Sequence, residues 1–425
     1  MSKIVKMMIV IILTLSLICY QELYTVEEVE ARTGTITQST VKNEWNTTFE
    51  GKTGISASSV IQTSDGGYAI AVGDSGDTDL VKIDKNGKYQ WNHTYRNSSS
   101  DALFSIIQTT DGGFALAGRT SYYSNITSVY DFDMWLVKTN STGYAEWNSS
   151  FGDANPDEAY SLIQTSDGGF VIAGYKTSYG PGKEGMWLVK TDMNGQYEWN
   201  KTFGREPEKA YSLIQTSDGG YALAGSIFVK TDADGLHEWN RTFGGGYIKN
   251  TRSVIQTFDG GYALAGYVWI SEENNSFDMF LVKTNTTGHE IWNNTIGGTK
   301  TDEAYALIQT SDKGYALAGY TDSYGAGNTD MWLVKTDTNG QHQWNITFGG
   351  AGSEMAISMI QTSDGGVVIA GGTTSYGSGI WAMWIVKLGS ISTNTSPSWA
   401  LIIVLMSLLM LVPIKKRILS NLRLK

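Results

Sequence analysis

The chain has 425 residues and a formal net charge of −11, and it contains one cysteine, 49 glycines, 14 tryptophans and 23 tyrosines. So acidic a chain excludes nucleic acid as the expected ligand, since affinity for phosphate backbones comes from clustered Lys and Arg. A single cysteine excludes an intramolecular disulfide, so stability must come from burial and closure of the fold.

In chain order, residues 1–31 read as a signal peptide and leader: Lys3 and Lys6 precede the apolar run Met7 to Cys19. Cys19 belongs to that segment, and Ile18 before it is not the small residue a lipoprotein signal requires. Residues 41–388 then carry a repeat. An Ile-Gln-Thr run followed by a glycine-containing turn begins at Ile61, Ile107, Ile163, Ile214, Ile255, Ile308 and Ile360. These steps of 41 to 56 residues are the length of a four-stranded propeller blade.

The sixth repeat predicts strands at Ala306 to Thr310, Tyr315 to Tyr320, Met331 to Thr336 and His342 to Phe348, with hairpins at Ser-Asp-Lys-Gly and Asp337-Thr338-Asn339-Gly340. A Trp-Asn strand recurs at Trp45, Trp91, Trp147, Trp199, Trp239, Trp292 and Trp344. The first of these precedes the first Ile-Gln-Thr run, and the last repeat stops after Trp384 without one. The strand Glu44 to Phe49 is therefore expected to complete the last blade as a velcro closure. The fold class is all-β, a seven-bladed β-propeller of four-stranded blades.

Residues 389–398 form a linker, 399–414 an apolar stretch and 415–425 a basic tail opened by Lys415-Lys416-Arg417. At ~1.5 Å per residue the apolar stretch reaches about 24 Å, workable as a single transmembrane helix with its basic tail in the cytoplasm. The expected layout is a membrane-anchored, extracellular propeller.

The blade unit Trp332-Leu-Val-Lys-Thr-Asp-Thr-Asn-Gly-Gln-His-Gln-Trp344 resembles the repeats of secreted archaeal and bacterial surface propellers. More distantly, Asp337-x-x-Gly340-x-x-x-Trp344 is similar to the Trp-docking repeat of quinoprotein dehydrogenases, with one residue fewer between Asp and Gly. That resemblance implies blade packing and no quinone.

No cofactor and no metal site is expected. Asp192-x-Asn194-Gly195, Asp232-x-Asp234-Gly235 and Asp337-x-Asn339-Gly340 look like parts of a calcium loop, but Lys190, Lys230 and Lys335 stand where the first carboxylate should be, which leaves plain hairpin turns. His93, His237, His289 and His342 fall in separate blades. The repeated glutamines, Gln62 to Gln361, either collar the channel or bond to a neighbouring blade's backbone. Sequons at Asn46, Asn92, Asn148, Asn200, Asn240, Asn293 and Asn345 lie on the Trp-Asn strand, and are glycosylation candidates if that strand is exposed outside the cell.

Function is expected where the repeats differ, in the links between strands two and three such as Ser121 to Asp133, Ser178 to Gly185, Ser271 to Asp278, Asp322 to Asp330 and Thr374 to Ala382. Tyr122, Tyr123, Tyr130, Tyr179, Trp269, Tyr324, Tyr376 and Trp381 lie in or beside them, mixed with polar residues that suit a surface protein or a glycan. The leading expectation is a binding or adhesion module. The competing ones are a propeller enzyme, either a quinoprotein-like oxidoreductase or a polysaccharide lyase or hydrolase, and a structural cell-envelope component. Convergent charge at the channel mouth, near Glu158, Glu303 and Glu354, would favour the enzyme.

Overall fold

A computed structural model describes residues 41–391 apart from 51–53, 75–76, 99, 125–128, 154, 178–184, 205–207, 244–248, 272–275 and 378–380. The expected signal peptide, membrane span and basic tail lie outside the described residues, among which no helix is long and apolar enough to cross a membrane.

Seven antiparallel four-stranded sheets make the seven blades. Six are formed by consecutive strands. The seventh takes Glu354–Gln361, Val367–Thr373 and Ala382–Leu388 from the end of the chain and its outer strand, Asn43–Phe49, from the start. Thr48 pairs with Trp384 in that closure, and Lys387 Nζ lies 3.3 Å from Glu44 Oε2. The expected velcro is the observed one.

Blades pack through three devices repeated around the ring. Strands two and three are continuous apolar runs such as Tyr315–Thr321 and Asp330–Thr336, buried on both faces between neighbouring sheets. Six of the seven outer-strand tryptophans, all but Trp344, lie on the hairpin glycine of the following blade. A Cβ on Gly195, whose φ is +75°, would stand 2.4 Å from the Trp147 ring, so the position needs glycine both for its backbone and for the close approach. The same docking joins Trp45 to Gly87 across the closure, where the indole also donates to Lys85 O at 3.1 Å.

The repeated glutamines settle as the blade-to-blade alternative. Gln108 Oε1 accepts the Ser64 N–H at 2.8 Å, Gln164 that of Thr110 and Gln309 that of Phe258, and Gln62 closes the ring on Ser363. The third-strand lysines are buried, and each is tied to an aspartate of the first hairpin, as Lys138 is to Asp111 at 2.7 Å. That is what occupies the lysine of the apparent calcium loop. Asp192 there accepts the N–H groups of Asn194 and Gln196, closing a hairpin turn.

The inner strand departs from the predicted one. In blade 6 it begins at Asp302, earlier than Ala306, because a bulge at Tyr305 breaks the alternation on which the apolar pattern relies. The register shifts at the equivalent point in blades 1, 2, 3, 5 and 7. A second-strand glycine faces the bulge in blades 2, 3, 5, 6 and 7, where blade 1 has Val72: a Cβ on Gly174 would stand 1.8 Å from Glu158 O. Both hairpins of each blade lie on one face. The links between strands two and three, and between blades, lie on the other.

Candidate functional site

A bulge places two residues opposite one, and the extra residue loses its ladder partner. Here the extra residues are Ser58, Phe104, Tyr160, Arg252, Tyr305 and Ile357, and Tyr211 stands in the same position of blade 4, just before Ser212–Gln215. All seven line one central cavity of 340 Å³. The next residue along each strand, Ser59, Ser105, Ser161, Ser212, Ser253, Ala306 or Ser358, lines it too. Serine hydroxyls there accept inner-strand N–H groups of the adjacent blade, as Ser161 does from Leu213 at 3.1 Å, Ser212 from Val254 and Ser358 from Val60.

The bulged residues differ from blade to blade, so the ring is lopsided. Blades 2 to 6 form an aromatic and cationic wall. Phe104, Tyr160 and Tyr211 follow one another with ring centroids 5.4 and 5.2 Å apart, and Tyr175 stacks on Tyr160 at 6.0 Å. Arg252 continues the wall with its guanidinium carbon 4.0 Å over Tyr211 and 5.3 Å over Tyr305. At the bulge itself, blades 7 and 1 present Ile357 and Ser58.

Charges gather where the inner strands begin. Glu158 accepts from Arg119 and from the Tyr160 hydroxyl at 2.7 Å. Glu303 accepts from the Tyr305 hydroxyl at 3.1 Å. Lys209 lies 3.9 Å over the Tyr175 ring and donates to Tyr160. Burial pushes the Tyr160 and Tyr305 hydroxyls well above the ordinary tyrosine range, so both stay protonated at neutral pH. Burial likewise raises Glu303 and lowers Lys209.

The rim aromatics expected from the sequence belong to blades 2, 3, 5, 6 and 7, and several of them make local contacts. The Tyr324 hydroxyl donates to Gly297 O at 2.9 Å and its ring packs on Trp332; Tyr376 repeats this with Gly349 and Trp384. The Tyr122 hydroxyl donates to Asp153 O. Trp381 covers Gly372, and its carbonyl accepts the Ile55 N–H across the closure. Trp269 pairs with Phe277, and Tyr123 with Tyr130, in two-stranded ribbons that continue the blades where loops were expected. Tyr179 lies outside the described residues. Of the mouth acids named from the sequence, Glu158 and Glu303 flank the wall, whereas Glu354 is bound to Gly350 N and Thr373 Oγ1 in the last blade.

Among the sequon residues, Asn46, Asn92, Asn148, Asn200, Asn240 and Asn293 are exposed and Asn345 is half-buried. Their positions also have a structural use: Asn148, Asn200 and Asn345 accept the indole N–H of Trp135, Trp187 and Trp332 at 3.3, 3.2 and 3.1 Å.

No protein-family model matches the sequence, and no curated protein matches it. Solved structures do. A catalytically inactive virginiamycin B lyase from Staphylococcus aureus with quinupristin is 11% identical, with 82% of this chain and 99% of that chain covered and a TM-score of 0.54. Raptor from Chaetomium thermophilum is 8% identical over 81% of this chain and 30% of that one, with a TM-score of 0.53. BamB from Moraxella catarrhalis is 12% identical over 82% of this chain and 99% of that one, at a TM-score of 0.45. The likeness is one of fold.

Proposed function

We propose that this propeller is a binding module whose recognition site is the mouth of the central channel on the loop-bearing face. The observation that carries the reading is the bulge: six inner strands break register at the same point, and each directs its extra side chain, of five residue types in all, into one cavity. Recognition sites are concave, with apolar and aromatic walls and a few placed polar groups. The mouth carboxylates Glu158 and Glu303 accept the hydroxyls of Tyr160 and Tyr305 and so fix two of the side chains that line the cavity; the charge that converges there is the feature an enzyme would share.

The module works outside the cell in this reading, tethered through residues 389–398 to a span at 399–414, with some exposed sequons carrying sugar. The support is the Lys3 and Lys6 leader, the Lys415-Lys416-Arg417 cluster and the outward asparagines on the Trp-Asn strands. The partner is a surface protein or a glycan.

Screening the full chain against glycan and surface-protein arrays tests the site. Tyr160→Ala with Tyr211→Ala is expected to lower affinity for any hit by about 10-fold or more, since truncating a buried aromatic anchor costs about 2 kcal/mol or more. Replacing Tyr324 and Tyr376 should change affinity little. A hit that ignores the mouth pair and needs the rim pair would move the site outward.

A further inference from the structure

We propose that the mouth binds an acidic saccharide, with the sugar carboxylate seated on Arg252; this rests on reading the mouth as the recognition site. Arg252 differs from the buried third-strand lysines in its charge balance. Each third-strand lysine is neutralised by an aspartate, as Lys283 is by Asp259 at 3.0 Å and Lys387 by Asp364 at 3.1 Å. Arg252 forms no ion pair among the described residues. Its Nη2 donates to the Tyr267 hydroxyl at 3.3 Å, and its Nε is buried without a partner. A guanidinium carries five donors in a planar fork, so most of its capacity is unspent.

An unpaired cation beside a cavity is costly unless something anionic completes it. Arg119 and Lys209 add positive charge to the same wall, where Glu158 already holds Arg119 and Glu303 holds the Tyr305 hydroxyl. A carboxylate matches the fork in two parallel hydrogen bonds.

The lining favours a sugar as the bearer. Tyr160 and Tyr211 give the cavity aromatic surface suited to the C–H face of a pyranose ring. The hydroxyls of Ser161, Ser212 and Ser358 already accept a backbone N–H, so each has its proton left to donate to a ring oxygen. An extended peptide would find the inner edges of blades 4, 5 and 1 partly taken, because Leu213, Val254 and Val60 already donate their N–H groups to Ser161, Ser212 and Ser358. At 340 Å³ the cavity is near the lower end of the ligand-site range of about 300–1,000 Å³, in keeping with a short saccharide.

Calorimetric titration of the purified full chain with trimers of galacturonate and glucuronate, with neutral galactotriose and with triglutamate tests this. At least one uronate trimer is expected to bind, about 10-fold or more tightly than galactotriose and triglutamate. Arg252→Gln is expected to remove that preference and Arg252→Lys, which keeps the charge without the fork, to weaken it, neither with a loss of melting temperature. A melting loss in Arg252→Gln would leave Arg252→Lys as the deciding variant. No binding of either uronate trimer, equal binding of galactotriose, or a preference intact in Arg252→Lys, overturns the carboxylate assignment. Equal or tighter binding of triglutamate overturns the saccharide. In each case an array hit sensitive to Tyr160→Ala and Tyr211→Ala would leave the mouth as the site; uronate binding insensitive to Tyr160, Tyr211 and Arg252 changes would remove both.

Discussion

Asp278 shows how a single carboxylate can be carried at a loss. It stands on the third strand of blade 5, beside the buried Asp302 that opens blade 6, and an oxygen of each is buried without a hydrogen-bond partner. Asp302 uses its other oxygen to hold the inter-blade link, accepting from Gly298 N and the Ser323 hydroxyl, each at 2.8 Å. Burial, then the Asp302 charge, push Asp278 up to about 6. A carboxyl raised above its unfolded value is bound to its proton more tightly in the folded chain. The pair therefore costs little below pH ~4, loses stability as pH rises from about 4 to 6, and carries the full penalty above that. Asp278→Asn removes the charge and supplies an N–H toward Asp302. Melting should rise by about 1–3 °C at pH 8, with the gain shrinking toward zero at pH 4. A loss at pH 8, or an equal gain at both pH values, would show that the carboxylate has a partner of its own.

At the scale of the strand, the bulge and its glycine are one unit. Gly174 must lack a Cβ because the bulged chain brings Glu158 O to within 1.8 Å of where that atom would stand. Gly174→Ala should therefore either straighten the strand, withdrawing Tyr160 from the cavity, or separate the two strands, at about 3 kcal/mol or more. Gly66 is glycine for a different reason. Its φ is +81° and nothing lies within 4 Å of where a Cβ would stand, so Gly66→Ala should cost only about 1–2 kcal/mol of backbone strain. Chemical denaturation of the two variants separates these causes. Equal costs would mean that the close approach at Gly174 relaxes cheaply.

For the whole molecule, closure concentrates stability in one strand. Asn43–Phe49 supplies the outer edge of the last blade, docks Trp45 on Gly87 of the first and places Glu44 beside the buried Lys387. Deleting 41–50 should lower stability by several kcal/mol, or drive oligomerisation through the bared edge along Ala382–Leu388. A truncated chain that stayed monomeric with unchanged melting would show that the ring is held by its inter-blade contacts alone.

Blade number, closure and the structural role of the repeated residues were legible in the sequence, because a propeller restates each local solution once per blade. Ile-Gln-Thr marked the inner strand, the complementary ends marked the velcro, and Gln108 and its equivalents bond as a recurring side chain should. The site was written less plainly. Its signal is the position three residues before each Ile-Gln-Thr isoleucine, which reads Ser58, Phe104, Tyr160, Tyr211, Arg252, Tyr305 and Ile357 while its neighbours repeat. Alternation alone gives no reason to turn that position inward. Only the bulge does so, and a bulge is a register mismatch between two strands, visible once they are paired. The Asp278 and Asp302 junction was hidden for the same reason: its halves come from different blades. Composition and periodicity could thus determine what one blade is, whereas the tertiary structure decided which side chains from separate blades share a dielectric, a charge balance and a cavity.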